Sequence, residues 1–219
     1  MEQKILVIAV HPDDETLGCG GTLLKHKANQ DNIHWLICTQ TDANKEFYKN
    51  RKKEIEKVSE LYGFDSVHNL ELNSMQVDEY SMSELVLKIS KVINEVMPSI
   101  IYLPFKSDVH SDHRKIFEAA YSCTKSFRYP FIKKIYMMEV LSETEFAPSI
   151  KEDSFVPNVF SDISDFINKK VAIVKQYESE LAEHPFPRSI ENIKALATLR
   201  GATSGVKYAE SFMLLKEIN

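Results

Sequence analysis

Cysteine is scarce in this chain: three in 219 residues, at Cys19, Cys38 and Cys123, with no C-x-x-C spacing. An odd count without paired spacing argues against a disulfide framework and fits a reducing, cytoplasmic setting. Each thiol reads as a small core filler. Long apolar runs are lacking too. The N-terminal run Ile5-Leu6-Val7-Ile8-Ala9-Val10 is too short to span a membrane and has no small-residue cleavage site, so it reads as a strand. An excess of positive charge is also missing. The 27 Lys and Arg against 32 Asp and Glu leave a net charge of -5, which recommends neither nucleic acid nor an anionic membrane as partner. Gly18, Gly20 and Gly21 do not complete G-x-G-x-x-G, because Thr22 follows where a third glycine would be needed. Close helix–strand packing explains them, and no dinucleotide cofactor is expected. With no internal repeat, low-complexity tract or linker, residues 1–219 read as one domain.

What is present is an ordinary soluble composition, 43% hydrophobic and 27% charged, in which β-branched apolar runs alternate with amphipathic stretches. Lys4 to Val10 reads as a buried strand, about 15 to 28 as a helix, and Ile33 to Thr39 as a second strand. Lys45 to Tyr62 carries Ile55, Val58 and Leu61 on one helical face and is stopped by Gly63. Val67 to Leu72 is a third strand. Ser83 to Met97 repeats apolar residues at the helical period up to Pro98, and Ile100 to Leu103 is a short strand. A helix over about 112 to 127 and a strand over Lys134 to Val140 follow. This alternation predicts an α/β fold built on a mostly parallel, doubly wound sheet with helices on both faces. Beyond it, Glu143 to Pro157 reads as surface loop, Asp162 to Leu181 as a long helix capped by Ser161 or Asp162, and Ser189 to Thr203 as a last helix. His184-Pro185-Phe186-Pro187 breaks the chain between the two helices, and Ala209 to Ile218 is an apolar element of undetermined type.

Two polar clusters interrupt this pattern. The first strand ends in His11-Pro12-Asp13-Asp14-Glu15, four ionisable groups in five residues. One carboxylate can cap the following helix, but carboxylates this close repel one another unless a cation sits between them. The strand at 100–103 ends in a loop that reads Asp108-Val109-His110-Ser111-Asp112-His113-Arg114. In open α/β sheets ligands gather beyond the carboxyl ends of strands, so the two clusters can share one edge. Imidazole and carboxylate together, without thiolate, suit catalytic zinc or a related divalent ion.

At these residues the chain resembles a known family. Ala9 to Glu15 followed by Leu17-Gly18-Cys19-Gly20-Gly21-Thr22 is similar to the opening signature of the LmbE-like (PIG-L) N-deacetylases. His110-Ser111-Asp112-His113-Arg114 resembles the family's second motif, and Arg200 to Phe212 its C-terminal signature. Arg51 and Glu54 stand where many members carry a helical R-x-x-E. The resemblance implies a Rossmann-like fold and metal-dependent hydrolysis of an N-acetyl amide on a glucosamine-type sugar by a zinc-activated water. It assigns His11, Asp14 and His113 as ligands of Zn2+, with Fe2+ or another divalent ion as an alternative. Asp13 becomes the general base, His110 the group that steadies the tetrahedral intermediate, and Asp112 an orienting residue. Asp108 stands where some relatives carry a tyrosine that touches the reacting oxygen, which makes it, with Arg51, a candidate substrate contact. The family often forms oligomers, so a homo-oligomer is also implied.

Other residues have plainer explanations. Arg51 among Lys49, Lys52 and Lys53 equally fits a solvated basic face. His184 reads as a loop histidine, His26, His34 and His68 as packing or surface residues, and Trp35 as core. Three competing functions carry their own signatures. The same amidase could act on a thiol-cofactor precursor of the GlcNAc–malate type or on an antibiotic sugar. A non-catalytic metal-binding, sugar-recognition module would have no need of Asp13 and His110 beside the ligands. A nucleotide-binding protein would need a ribose-binding acid after the second strand, where Asp42 alone is nearby.

Overall fold

The apolar run that opens the chain forms the middle of the sheet. The computed structural model describes residues 2–40 and 45–219, the side chains of 45–48 excepted, so Asp42 lies outside the described residues. Strand β1 (Lys4–Ala9) pairs in parallel with β2 (Asn32–Gln40) on one side and β4 (Ile100–Leu103) on the other. Being covered on both faces, it has no polar alternation. With β3 (Ser66–Asn73), β5 (Lys134–Met138), β6 (Val159–Asp162) and β7 (Ala209–Glu217), the order across the sheet is β3-β2-β1-β4-β5-β7-β6. The first five strands are parallel, and β7 runs antiparallel to both β5 and β6. Helices α1 (Asp14–Ala28), α2 (Lys45–Tyr62), α3 (Met82–Val96) and α4 (Ser111–Ser122) make the crossovers, and α5 (Ile167–Val174) and α6 (Ile190–Ser204) follow.

The period of two along β1 sorts the helices. Ile5 and Val7 pack in the core that takes Leu23 of α1, Val58 of α2, Ile173 of α5 and Ile193 of α6. Leu6 and Ile8 face the other core, with Ile89 of α3 and Ile116 of α4. The doubly wound expectation therefore holds, with an antiparallel edge added by the C-terminal residues. Among the described residues no helix is long and apolar enough to cross a membrane.

The chain departs from its periodicity at 159–181. In place of one long helix from Asp162, residues Val159–Asp162 form β6, α5 spans only Ile167–Val174, and a 3-10 turn occupies Glu178–Glu180. Two tertiary contacts override the helical pattern. The outer edge of β7 takes β6 as its partner, with Ser161 opposite Glu210. Past α5 the Tyr177 hydroxyl turns inward to donate to Glu15 Oε1 at 2.9 Å. Helix α4 likewise stops at Ser122 rather than near residue 127. The terminal element is the strand β7, and 143–157 is irregular apart from a 3-10 turn at Lys151–Asp153.

Helix α1 is broken at Cys19 (φ -144°), which leaves the amides of its second half without partners. Glu210 of β7 supplies them. Its carboxylate accepts from Gly21 N (2.8 Å), Thr22 N (2.7 Å) and Thr22 Oγ1 (2.6 Å), and Lys170 Nζ balances its charge at 2.7 Å. A Cβ on Gly21 would lie 2.7 Å from Ile163, so glycine permits the close approach expected from the sequence. Glu210→Ala would leave two amides unbonded and the Lys170 ammonium buried without a counter-charge. A loss of about 3–5 kcal/mol of unfolding free energy is expected, measured by denaturant titration. Glu210→Gln, which keeps an acceptor for the amides, is expected to lose less.

Candidate metal centre and active-site cleft

Strands β1 and β4 are neighbours, and the chain leaves their carboxyl ends toward opposite faces of the sheet, α1 to one and α4 to the other. This is the switch point where doubly wound sheets collect ligands. It brings the two polar clusters together.

On the β1 side Asp13 is the residue preceding α1, but its side chain makes no capping bond. Its backbone sits at φ 142°, a region that costs a non-glycine residue on the order of 1–3 kcal/mol. The turn separates two adjacent carboxylates. Asp14 Oδ2 folds back to accept from Val10 N at 2.9 Å and His11 N at 2.8 Å. Asp13 points elsewhere, meeting Arg188 Nη1 at 3.2 Å through Oδ2. Burial, and then the Asp14 charge, push the Asp13 carboxyl well above the usual carboxylate range, with Arg188 opposing. Glu15 is fully buried and accepts from Thr16 Oγ1, Tyr177 OH and Asp13 N, so the last acid of the cluster braces the turn.

On the β4 side His110 caps α4, its Nδ1 accepting from Asp112 N at 3.1 Å. Assigned from that bond, the neutral ring carries its proton on Nε2. Burial and the neighbouring His11 lower its pKa to about 4, so the ring is neutral at ordinary pH. Asp112 accepts from Met75 N at 2.8 Å and Val77 N at 3.3 Å and stands 3.4 Å from His11 Nε2. His113 is fully buried, with Nδ1 2.8 Å from Asp108 Oδ2, while Asp108 Oδ1 accepts from Thr144 Oγ1 at 2.7 Å.

His11 and His113 are thus each held at one nitrogen by a carboxylate, and their other two nitrogens converge. His11 Nδ1 and His113 Nε2 lie 3.3 Å apart, with Asp14 Oδ2 3.4 Å from the latter. The ligand atoms of His11, Asp14 and His113 all fall within 4.8 Å of one another. A second grouping, His11 with His110 and Asp112, is weaker as a ligand set because His110 Nδ1 already accepts from the Asp112 amide, which leaves a protonated Nε2. Burial alone would lower the His113 pKa, but Asp14 and Asp108 outweigh it and raise it to about 9. The surroundings therefore demand positive charge at this point, and two imidazoles with one carboxylate fit a divalent ion.

The centre opens into a cleft of about 240 Å³ lined by His11, Asp13, His110, Arg51, Glu180 and Arg188, among others. A larger groove of about 440 Å³ between α2 and strands β2 and β3 shares Pro12, Thr39 and Arg51 with it but contains none of the histidines, so the smaller cleft is the chemical one. Arg51 is buried in its wall, not on a solvated face, and pairs with Glu180 and with Glu54 at 3.1 Å. His184 is exposed and does not line the cleft.

One expected site residue has a different place. Asp108 is not a substrate contact: it is fully buried behind His113, with both oxygens occupied. There it fixes the ring so that Nε2 faces the centre. Asp108→Ala is expected to weaken metal affinity by about 10–100-fold, measured by chelator competition, while the apparent substrate KM of the metal-saturated protein changes little. Three charged cleft residues were not candidates from the sequence: Glu143, Glu180 and Arg188. The Pro-Phe-Pro-Arg break at 185–188 was the available signal for Arg188. The C-terminal motif does not line the cleft. Arg200 pairs with Glu139, which also accepts from Ser211 Oγ at 2.7 Å, and Glu210 braces α1.

Several known proteins are similar to this chain. Diacetylchitobiose deacetylase of Thermococcus kodakarensis is 26% identical over 99% of this chain and 84% of its own length. A Bacillus anthracis protein described as probable N-acetyl-alpha-D-glucosaminyl L-malate deacetylase 2 is 21% identical over 83% of each. The crystal structure of a conserved protein from Thermus thermophilus superposes with a TM-score of 0.79 at 26% identity, covering 99% of this chain and 96% of that one. The PIG-L family profile, described as GlcNAc-PI de-N-acetylase, matches residues 6–124, more than half of the chain and both halves of the metal centre, so the chain belongs to the PIG-L family.

Proposed function

We propose that this protein is a zinc-dependent hydrolase that removes the N-acetyl group from an N-acetylglucosamine-type amino sugar, the whole chain acting as one catalytic domain. The observation that carries the reading is that Asp13 and His110 line the same cleft as His11 and Asp14, whose ligand atoms converge with that of His113. Two of the relatives named above support it, one a diacetylchitobiose deacetylase and one described as a probable N-acetyl-alpha-D-glucosaminyl L-malate deacetylase. Bound by those three residues, a divalent ion would supply a Lewis acid and lower the pKa of a water from 15.7 to about 7. Asp13, a buried carboxylate free of capping duty, accepts the proton of the attacking water and returns it to the leaving amine. The Nε2–H of His110 donates to the amide oxygen as negative charge develops there. The C–N bond breaks to give acetate and the free amino sugar. Free, buried cysteines fit a reducing cytoplasm as the place of work.

Acetate release from N-acetylglucosamine and N,N'-diacetylchitobiose tests the reading. It is expected to be abolished by chelation and restored by one equivalent of zinc. Release that persists in fully chelated protein would overturn the metal-dependent mechanism. Full metal occupancy with no release from these sugars or from larger N-acetyl conjugates would leave a metal-binding module.

A further inference from the structure

Two guanidinium groups, Arg51 and Arg188, reach the cleft beside His11. In a cleft that receives an anionic conjugate, such groups are left to pair with the ligand's carboxylate or phosphate. Here they pair with the protein's own acids. Glu180 lies between them, Oε1 against Arg51 and Oε2 3.2 Å from Arg188 Nη2. Glu54 Oε2 adds a second acid to Arg51 at 3.1 Å, and Asp13 Oδ2 a second to Arg188 at 3.2 Å. The Arg51 side chain is only 8% exposed and that of Arg188 22%, so little guanidinium surface remains for a ligand. Glu143 lines the same cleft, and its buried Oε2 has no hydrogen-bond partner. An unpartnered oxygen at the cleft wall suits a sugar hydroxyl as its donor.

We propose that Glu180 is a specificity-determining residue which, by occupying Arg51 and Arg188, sets the cleft for neutral N-acetyl amino sugars and against conjugates that carry a carboxylate or phosphate. This rests on the deacetylase reading and narrows its substrate class. The 3-10 turn at Glu178–Glu180 is what delivers the side chain. It exists because α5 stops at Val174.

The test compares the metal-loaded protein with Glu180→Gln. The kcat/KM values for N,N'-diacetylchitobiose and for N-acetylglucosaminyl malate are measured first. The wild type is expected to favour the neutral sugar by at least tenfold. Glu180→Gln should shift that ratio toward the malate conjugate by at least tenfold, chiefly through KM. Calorimetric titration with the two amine products, mono-N-deacetylated chitobiose and glucosaminyl malate, reads the same preference without turnover. If neither protein hydrolyses either substrate or any larger N-acetyl conjugate, the deacetylase reading fails, and the titrations still decide the selectivity. Glu54→Gln, which removes the other acid from Arg51, serves should Glu180→Gln not fold, and is expected to move the ratio the same way by a smaller factor. A wild type that prefers the malate compounds, or a ratio unmoved in a folded variant, overturns the proposal.

Discussion

Replacing Asp13 with asparagine is expected to lower kcat by about 10²–10⁴-fold while zinc stays near one per chain. The side chain holds no structural bond except that with Arg188, and the bond that braces the turn comes from the Asp13 backbone N–H to Glu15 Oε2 at 3.1 Å. Asparagine keeps that amide and fits the same backbone conformation, since Asn is among the residues that tolerate positive φ. Folding stability should therefore change little, and the loss belongs to proton transfer. The decisive pair of measurements is kcat by acetate release and metal by elemental analysis. Loss of metal along with activity would place Asp13 among the ligands and deny it the role of base.

His113→Ala is expected to act the opposite way, emptying the metal centre and bringing activity down to that of chelated protein. His11 and Asp14 remain, but structural and catalytic zinc sites use at least three protein ligands. The substitution also leaves Asp108 Oδ2 without its ring partner and opens a cavity where the imidazole was fully buried. A stability loss of about 1–3 kcal/mol from the unsatisfied acid accompanies the lost metal. Metal content is therefore measured on protein shown by circular dichroism to be folded. Stoichiometric zinc in folded His113→Ala protein would mean that the second grouping, His11 with His110 and Asp112, is the true ligand set.

The candidate metal centre was legible because its residues fall in two short strings, each directly after an apolar strand. Contiguity made the crowding of charge visible, and the strand ends told where the strings would lie. Helix α2 and strand β4 kept the limits that their periodicity and flanking Gly63 and Pro98 indicate. What was not legible depended on direction or on distant partners. Asp108 is five residues from His113, and no spacing says whether a loop carboxylate turns to solvent or behind a ring. The 162–181 stretch has a sound helical period, but β7 needed a strand on its free edge, and that need is set by the far end of the chain. Arg188, Glu180 and Glu143 enter the cleft from segments remote in sequence from both clusters. Their role is defined only once the sheet has closed.

The contact between Glu210 and Gly21 also has a meaning in time. It joins residues 189 positions apart, and the helix whose second half it secures begins at the candidate ligand Asp14. A growing chain emerges from the ribosome with both ligand strings complete by His113, yet the brace under the first of them is still unmade. On the proposed function, nascent chains halted before residue 210 are expected to carry His11, Asp14 and His113 and yet hold zinc more loosely than chains that include the last strand.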